Sequence, residues 1–346
     1  MTPRASIARL RVAMTAAVVL LAAAAFLWHV LGRRRDSKLT PGRFPEELVY
    51  VRATDGIHSG GVIFSPPKNE ARPIAVIWIH GWGANFYQPT YVNIGRALAE
   101  RGYACIAANT RMHDLGNVEW IPTLTGDKRV RGGGYWGVAS EQVRDVAAWI
   151  DLAGDRGFKE VVLVGHSAGW AAVTQYQAEE QDSRVVGVVV ASGSVHPGTG
   201  PTDPDQIAQA TRMMAEGRPD DLVRDPKRSF PSFISAATML DIVNSPPELR
   251  DFYGTKTETR NPGVTRLRCP LLALYGTKGD VGGAAELELL TSSIRRQPSG
   301  PSRVDTVMIK NADHMYAGEE GQLAEVIAEW AATLGPAGKG DLPERR

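Results

Sequence analysis

Apolar residues in this chain come in short unbroken runs more often than in strict alternation. Ile74 to Ile79, Val161 to Val164, Val185 to Val190 and Leu271 to Tyr275 are continuous apolar stretches of strand length. Tyr103 to Ala108 and Thr306 to Ile309 read the same way. Such runs fit strands buried on both faces, the habit of parallel sheets. Between them the spacing becomes helical. Val92 to Arg101 places Ile94, Leu98 and Ala99 on one side and stops at Gly102. Gln142 to Leu152, Trp170 to Gln181, Ala284 to Ile294 and Gln322 to Leu334 are further predicted helices. Leu48 to Ala53 and Gly61 to Phe64 read as two short strands joined through Asp55-Gly56. Strands alternating with helices predict an α/β fold with a mostly parallel sheet and helices on both faces.

Two stretches break the rhythm. Leu115 to Gly137 is rich in Gly, Arg and aromatics and is expected to be irregular. The segment from about 194 to 268 holds helical patterns, Gln206 to Ala215 and Phe233 to Val243, between proline-rich joints. An insertion this long, placed here, is expected to form a helical cap over the strand ends and not a separate domain.

The amino terminus has a different pattern. Val12 to Leu31 is an uncharged, apolar stretch of 20 residues between Arg4, Arg9, Arg11 and Arg33 to Arg35. That length crosses a bilayer as a helix. A cleaved signal is the competing reading, with small residues at Ala22 to Ala25, but the apolar stretch runs on through Phe26-Leu27-Trp28 and Val30-Leu31. The expected layout is a membrane anchor over 1–35, a polar tether over 36–46, a folded domain over 47–334 and a polar, disordered tail over 335–346. Lys and Arg are nearly balanced across the apolar stretch, so the side of the membrane stays open.

Composition narrows the function classes. A chain of 346 residues with 43% apolar and 22% charged residues is an ordinary folded protein. A formal net charge of +1 gives no pull toward nucleic acid. The two cysteines, Cys105 and Cys269, have no zinc-like spacing with histidine and read as buried thiols. No phosphate-cradling loop is present: Gly132 to Gly134 does not join a strand to a helix with Lys-Ser/Thr following. No metal or organic cofactor is expected.

The chemistry-bearing motif is Gly165-His166-Ser167-Ala168-Gly169, between the Val161 to Val164 strand and the Trp170 helix. A sharp strand-to-helix turn lifts the serine hydroxyl above the sheet, and side chains two positions either side would collide. A serine hydroxyl near neutral pH needs a base, and the base needs an orienting acid. Two later strands end in such groups, the first running into Gly276-Thr277-Lys278-Gly279-Asp280 and the second into Asn311-Ala312-Asp313-His314. Asp280 is preferred over Asp313 as the acid, because adjacent side chains on a turn rarely face each other. His80, His166 and the His113-Asp114 pair are expected to tie loops together. The aromatics after Gly132 to Gly134 are candidates for an acyl pocket.

With the His80-Gly81-Trp82-Gly83 turn, these motifs make the chain resemble an α/β-hydrolase of the serine esterase and lipase type, over roughly Leu48 to Leu334. The resemblance implies Ser167 as nucleophile, His314 as base and Asp280 as orienting carboxylate. It also implies an oxyanion hole from the amides of Trp82 and Ala168. The substrate implied is a small-molecule or lipid ester. Peptidases, thioesterases and acyltransferases use the same chemistry. A non-catalytic binding protein of this fold would typically lack the serine or histidine that this chain has.

Overall fold

The computed structural model describes residues 39–196, 203–224 and 233–334. The elements in chain order are β1 (Glu46–Arg52), β2 (His58–Phe64), β3 (Ile74–Ile79), α1 (Pro89–Ala99), β4 (Cys105–Ala108), β5 (Asn117–Thr123) and β6 (Gly126–Gly132). Then follow α2 (Gln142–Asp155), β7 (Glu160–His166), α3 (Gly169–Glu180) and β8 (Val185–Ala191). The insertion holds α4 (Pro204–Ala215), β9 (Leu222–Arg224), β10 (Phe233–Ser235), α5 (Ala236–Val243) and the short α6 (Pro247–Arg250). Last come β11 (Leu271–Gly276), α7 (Ala284–Arg295), β12 (Val304–Ile309) and α8 (Glu320–Ala331).

The main sheet has eight strands in the order β1-β2-β4-β3-β7-β8-β11-β12. β1 and β2 pair antiparallel and β2 pairs antiparallel with β4, whereas every pair from β4 to β12 is parallel. The unbroken apolar run of β3 explains its central place. Ala75, Ile77 and Ile79 face one layer with Val146, Trp149 and Ile150 of α2. Ile74, Val76 and Trp78 face the other with Ile94 and Leu98 of α1 and Leu323 and Ile327 of α8. A strand covered on both sides gains from every side chain it carries, and alternation would waste half of them.

Three sequence expectations need correction. The stretch from Leu115 to Gly137 is not irregular throughout: β5 and β6 form an antiparallel hairpin with Trp120 opposite Arg129. Ile121 on its inner face is buried with Ala53 and Ile57, which gives the hairpin its footing. The cap is not purely helical either, since β9 and β10 pair within it and α5 begins at Ala236 rather than Phe233. Ser235 caps that helix by accepting a hydrogen bond from the Thr238 amide. The cap has a small core of its own, with Ala210, Met213, Val223, Ile234 and Met239. Finally, the tether is bound to the domain where it is described: Asn93 of α1 accepts from both the amide and the hydroxyl of Thr40 at 3.0 and 3.1 Å.

Both cysteines are free thiols; Cys105 is buried and Cys269 is only half-buried. The expected anchor over Val12 to Leu31 and the expected tail lie outside the described residues. Among the described residues no helix is long and apolar enough to cross a membrane.

Candidate active site

β7 ends at His166 and α3 begins at Gly169, so the chain reverses within two residues. Ser167, between them, has φ of +49°. A non-glycine residue in the left-handed region is costly and needs the surroundings to hold it. Here the Ser167 amide donates to the Ala191 carbonyl at 2.9 Å. The flanking glycines are required by contact. A Cβ on Gly165 would lie 2.5 Å from the Gly169 carbonyl oxygen, and one on Gly169 would lie 2.4 Å from that of His80.

The residues named from sequence meet at this turn. His314 Nε2 lies 3.1 Å from Ser167 Oγ. His314 Nδ1 lies 2.9 Å from Asp280 Oδ1. The imidazole is partly open to solvent, with its side chain 29% exposed, while the Asp280 side chain is wholly enclosed. Burial alone would raise the Asp280 pKa. Hydrogen bonds from His314, from the Ser192 hydroxyl and from the Gly276 and Val281 amides outweigh it and hold the carboxyl below its ordinary value. Asp280 therefore stays an anion where an imidazolium would need one.

The Gly81–Trp82 turn packs directly on the elbow: a Cβ on Gly81 would lie 2.9 Å from Ser167 Cβ. Neither the Trp82 amide nor the Ala168 amide donates to a protein acceptor among the described residues. The Trp82 indole is fixed by a 2.7 Å bond from Nε1 to the Gly134 carbonyl.

The family model described as the alpha/beta hydrolase family matches residues 76–328, a span that covers the elbow, Asp280 and His314. The chain belongs to the alpha/beta hydrolase family. Among solved structures it is similar to Est1E of Butyrivibrio proteoclasticus with ferulic acid bound, at 18% identity and TM-score 0.58, over 83% of this chain and 98% of that one. It is similar to a thermostable carboxyl esterase of Bacillus coagulans in complex with glycerol, at 13% identity and TM-score 0.60, over 84% and 99%. An esterase of Pyrococcus furiosus gives 14% identity and TM-score 0.52, over 87% and 98%. At such identities the likeness concerns the fold. No curated protein matches the chain in sequence at a significant level.

His80 and His166 tie buried loops together, as their positions inside motifs suggested. His166 donates from Nε2 to the His314 carbonyl at 2.8 Å and accepts at Nδ1 from Tyr91 Oη at 2.7 Å. Burial, opposed by too little, pulls its pKa down to about 3. His80 donates from Nδ1 to the Gly81 carbonyl at 2.6 Å and accepts at Nε2 from the Thr110 amide at 3.1 Å. Burial lowers it to about 4. Both rings are neutral braces, one behind the His314 loop and one behind the Gly81–Trp82 turn. Asp313 turns away from His314 and caps its own loop, accepting from the amides of Met315 and Ala317. Asp114 accepts from Asn85 and Tyr87, which pins the loop before α1. The glycine stretch after β6 fixes backbone: Gly134 holds the Trp82 indole, and the Tyr135 carbonyl accepts from the Ser235 amide of the cap at 2.7 Å.

One member of this candidate site was missed from sequence. Ser192, directly after β8, has φ of +52°. Its hydroxyl donates to Asp280 Oδ2 at 2.6 Å and accepts from Tyr316 Oη at 2.6 Å. The available signal was its position: β8 lies between the strand that leads to Ser167 and the strand that leads to Asp280. Among the described residues no group of His, Cys, Asp and Glu is arranged to hold a metal ion.

Proposed function

We propose that the protein is a serine hydrolase that cleaves a carboxylic ester through an acyl-enzyme, with Ser167, His314 and Asp280 as its catalytic triad. The observation that carries this is the connected path from Ser167 Oγ to His314 Nε2 at 3.1 Å and from His314 Nδ1 to Asp280 Oδ1 at 2.9 Å. Ser167 attacks the ester carbonyl carbon and His314 accepts its proton. The carbonyl oxygen, now an anion, takes hydrogen bonds from the Trp82 and Ala168 amides. Losing one such donor costs about 3 kcal/mol of barrier. His314 then protonates the departing alkoxide. Water, deprotonated by His314, attacks the acyl-enzyme and releases the acid.

Asp280 serves this sequence by fixing the tautomer. Its carboxylate holds the proton on Nδ1, which leaves Nε2 free to accept from the serine. His166 positions the base from behind through the His314 carbonyl. An ester is the substrate class in keeping with the carboxyl esterase among the structural relatives. Amide, thioester and acyl-acceptor chemistries share the same steps. The layout proposed around the site is a membrane anchor over 1–35, a tether over 36–46 and a hydrolase domain over 47–334 capped by 194–268.

The test is labelling of the full chain with a fluorophosphonate, followed by p-nitrophenyl esters of rising acyl length beside a matched amide and thioester. Labelling confined to Ser167, with ester turnover above amide and thioester turnover, is the expected result. Labelling that persists in Ser167→Ala would overturn the assignment.

A further inference from the structure

Three of the seven non-glycine residues with positive φ among the described residues belong to one connected group: Ser167, Ser192 and Tyr316. Ser167 forms the elbow and Ser192 holds Asp280. Tyr316 has φ of +58°, two residues after His314, in a turn closed by its amide on the Asp313 carbonyl at 3.1 Å. Glycine or asparagine would take that conformation at less cost. An aromatic residue there is an outlier that its surroundings must hold. What the strain secures is the direction of the side chain. Tyr316 is wholly buried and touches the supports of both partners of Ser167. Its hydroxyl lies 2.6 Å from Ser192 Oγ, which lies 2.6 Å from Asp280 Oδ2. Its ring meets His166 edge to face, with centroids 5.8 Å apart, and His166 holds the His314 carbonyl at 2.8 Å.

Each of the two hydroxyls has one proton, and the acceptors around them decide where it goes. Ser192 Oγ has Asp280 and Tyr316 within reach, and the carboxylate, being an anion, takes the proton. Tyr316 Oη has Ser192 Oγ at 2.6 Å and the Leu274 carbonyl at 3.4 Å. That carbonyl already accepts from the Ser192 amide at 2.9 Å, and a contact of 3.4 Å is weak. Both protons therefore run toward Asp280, in a chain whose links strengthen one another. The Ser192 hydroxyl cannot turn from the carboxylate without breaking a second bond. Bulk water offers no substitute, since Ser192, Tyr316 and the Asp280 side chain are all enclosed. The other titratable groups around Tyr316 are Tyr91 of α1, His166 of β7 and Tyr275 of β11. Burial keeps each of them neutral. Asp280 is the charge that the two hydroxyls face.

We infer that Tyr316 is a positioning residue that joins the two arms of the site: its hydroxyl commits Ser192 to Asp280, and its ring backs His166 behind His314. The inference rests on the reading of Ser167, His314 and Asp280 as a triad. Donation from Ser192 draws charge toward Oδ2 and away from Oδ1, the oxygen that faces His314 Nδ1. Weakening that donation leaves more charge on Oδ1 and favours the imidazolium. Loss of the Tyr316 hydroxyl must then raise the pKa of the base.

The experiment uses the full chain and p-nitrophenyl acetate, with kcat and kcat/KM followed across the acid limb. The variants are Tyr316→Phe, Tyr316→Leu, Ser192→Ala and the double variant Ser192→Ala with Tyr316→Phe. Tyr316→Phe keeps the ring and should lower kcat about two- to fivefold with KM little changed. It should also move the acid limb of kcat/KM upward by ~0.3 pH unit, which a merely structural role would not do. In the Ser192→Ala background the same change should add nothing, because the hydroxyl acts through Ser192. Tyr316→Leu removes the ring as well and should cost about tenfold or more in kcat. If Tyr316→Leu fails to fold, Tyr316→Phe and the double variant decide the matter. An unmoved kcat and acid limb in Tyr316→Phe, or effects that multiply in the double variant, overturns the inference and leaves the triad standing. Turnover that survives Ser167→Ala removes the triad and the inference together.

Discussion

Two aspartate–histidine pairs stand at the same edge of this sheet, and each closes at 2.9 Å. In one, His314 Nδ1 meets Asp280; in the other, His113 Nδ1 meets Asp114. The contact is alike and the consequences differ because of what the second ring nitrogen faces. His314 Nε2 faces the Ser167 hydroxyl, which has a proton to give up. His113 Nε2 accepts from the Asn117 amide, which holds its protons. The carboxylates differ too. Asp280 accepts from two backbone amides and the Ser192 hydroxyl. Asp114 is occupied by Asn85 and Tyr87 and acts as a clamp. An Asp–His pair is therefore no signature by itself; the neighbour of the free nitrogen decides.

That contrast can be broken in four ways. The largest effect is expected from Ser167→Ala, which should lower ester turnover on the order of 10⁴-fold or more and leave the unfolding midpoint nearly unchanged. A variant with more than a few per cent of wild-type turnover would mean another nucleophile. Next, Asp280→Asn should reduce kcat by about 10³- to 10⁴-fold through the wrong tautomer. Asp114→Asn should change kcat by less than about threefold while costing about 1 to 3 kcal/mol of stability. Equal losses of kcat in the two variants would erase the distinction drawn between the pairs.

The third concerns acid. The unfolded chain protonates histidine near its ordinary value, whereas His80 and His166 resist until about 4 and about 3 in the fold. Their folded pKa values are depressed, so stability is full above the unfolded value and falls as pH drops toward the folded ones. Two protons taken up only by the unfolded state give a slope of roughly 2 to 3 kcal/mol per pH unit between pH 5.5 and 4.5. Urea midpoints across that range should show it, and His166→Gln should halve it. A flat profile would mean that these rings are not buried and neutral. The smallest effect is expected from Ser192→Ala. It removes one of four donors to Asp280, and kcat should fall about three- to tenfold with KM little changed. A rise in KM alone would place Ser192 in substrate binding, not in positioning.

Much of this was legible in the sequence, for identifiable reasons. β3 was read to the residue because both its faces are buried, so every position is apolar. The elbow was legible because contact forbids any side chain at Gly165 and Gly169. The hairpin was not, since β6 has no apolar face: Asp127 to Arg129 and Arg131 are exposed, and only Val130 meets a cluster. Cross-strand pairing makes that strand, and pairing leaves no periodic trace in the paired residues. Ser192 was missed because a serine-glycine after a strand reads as any loop. Its role comes from strand order, which brings β8 between β7 and β11.

The junction of the 203–250 insertion, the hairpin and the Gly81–Trp82 turn has a mechanical consequence. The Tyr135 carbonyl takes the Ser235 amide, and the carbonyl one residue earlier takes the Trp82 indole. Two rigid peptide planes in succession thus join the lid to the turn that would cradle the charged oxygen. Lifting the cap by an ångström must stretch one of those bonds or drag the turn along. Under the proposed function, admission of a bulky acyl group and the readiness of the site to react would be adjustments of a single lever.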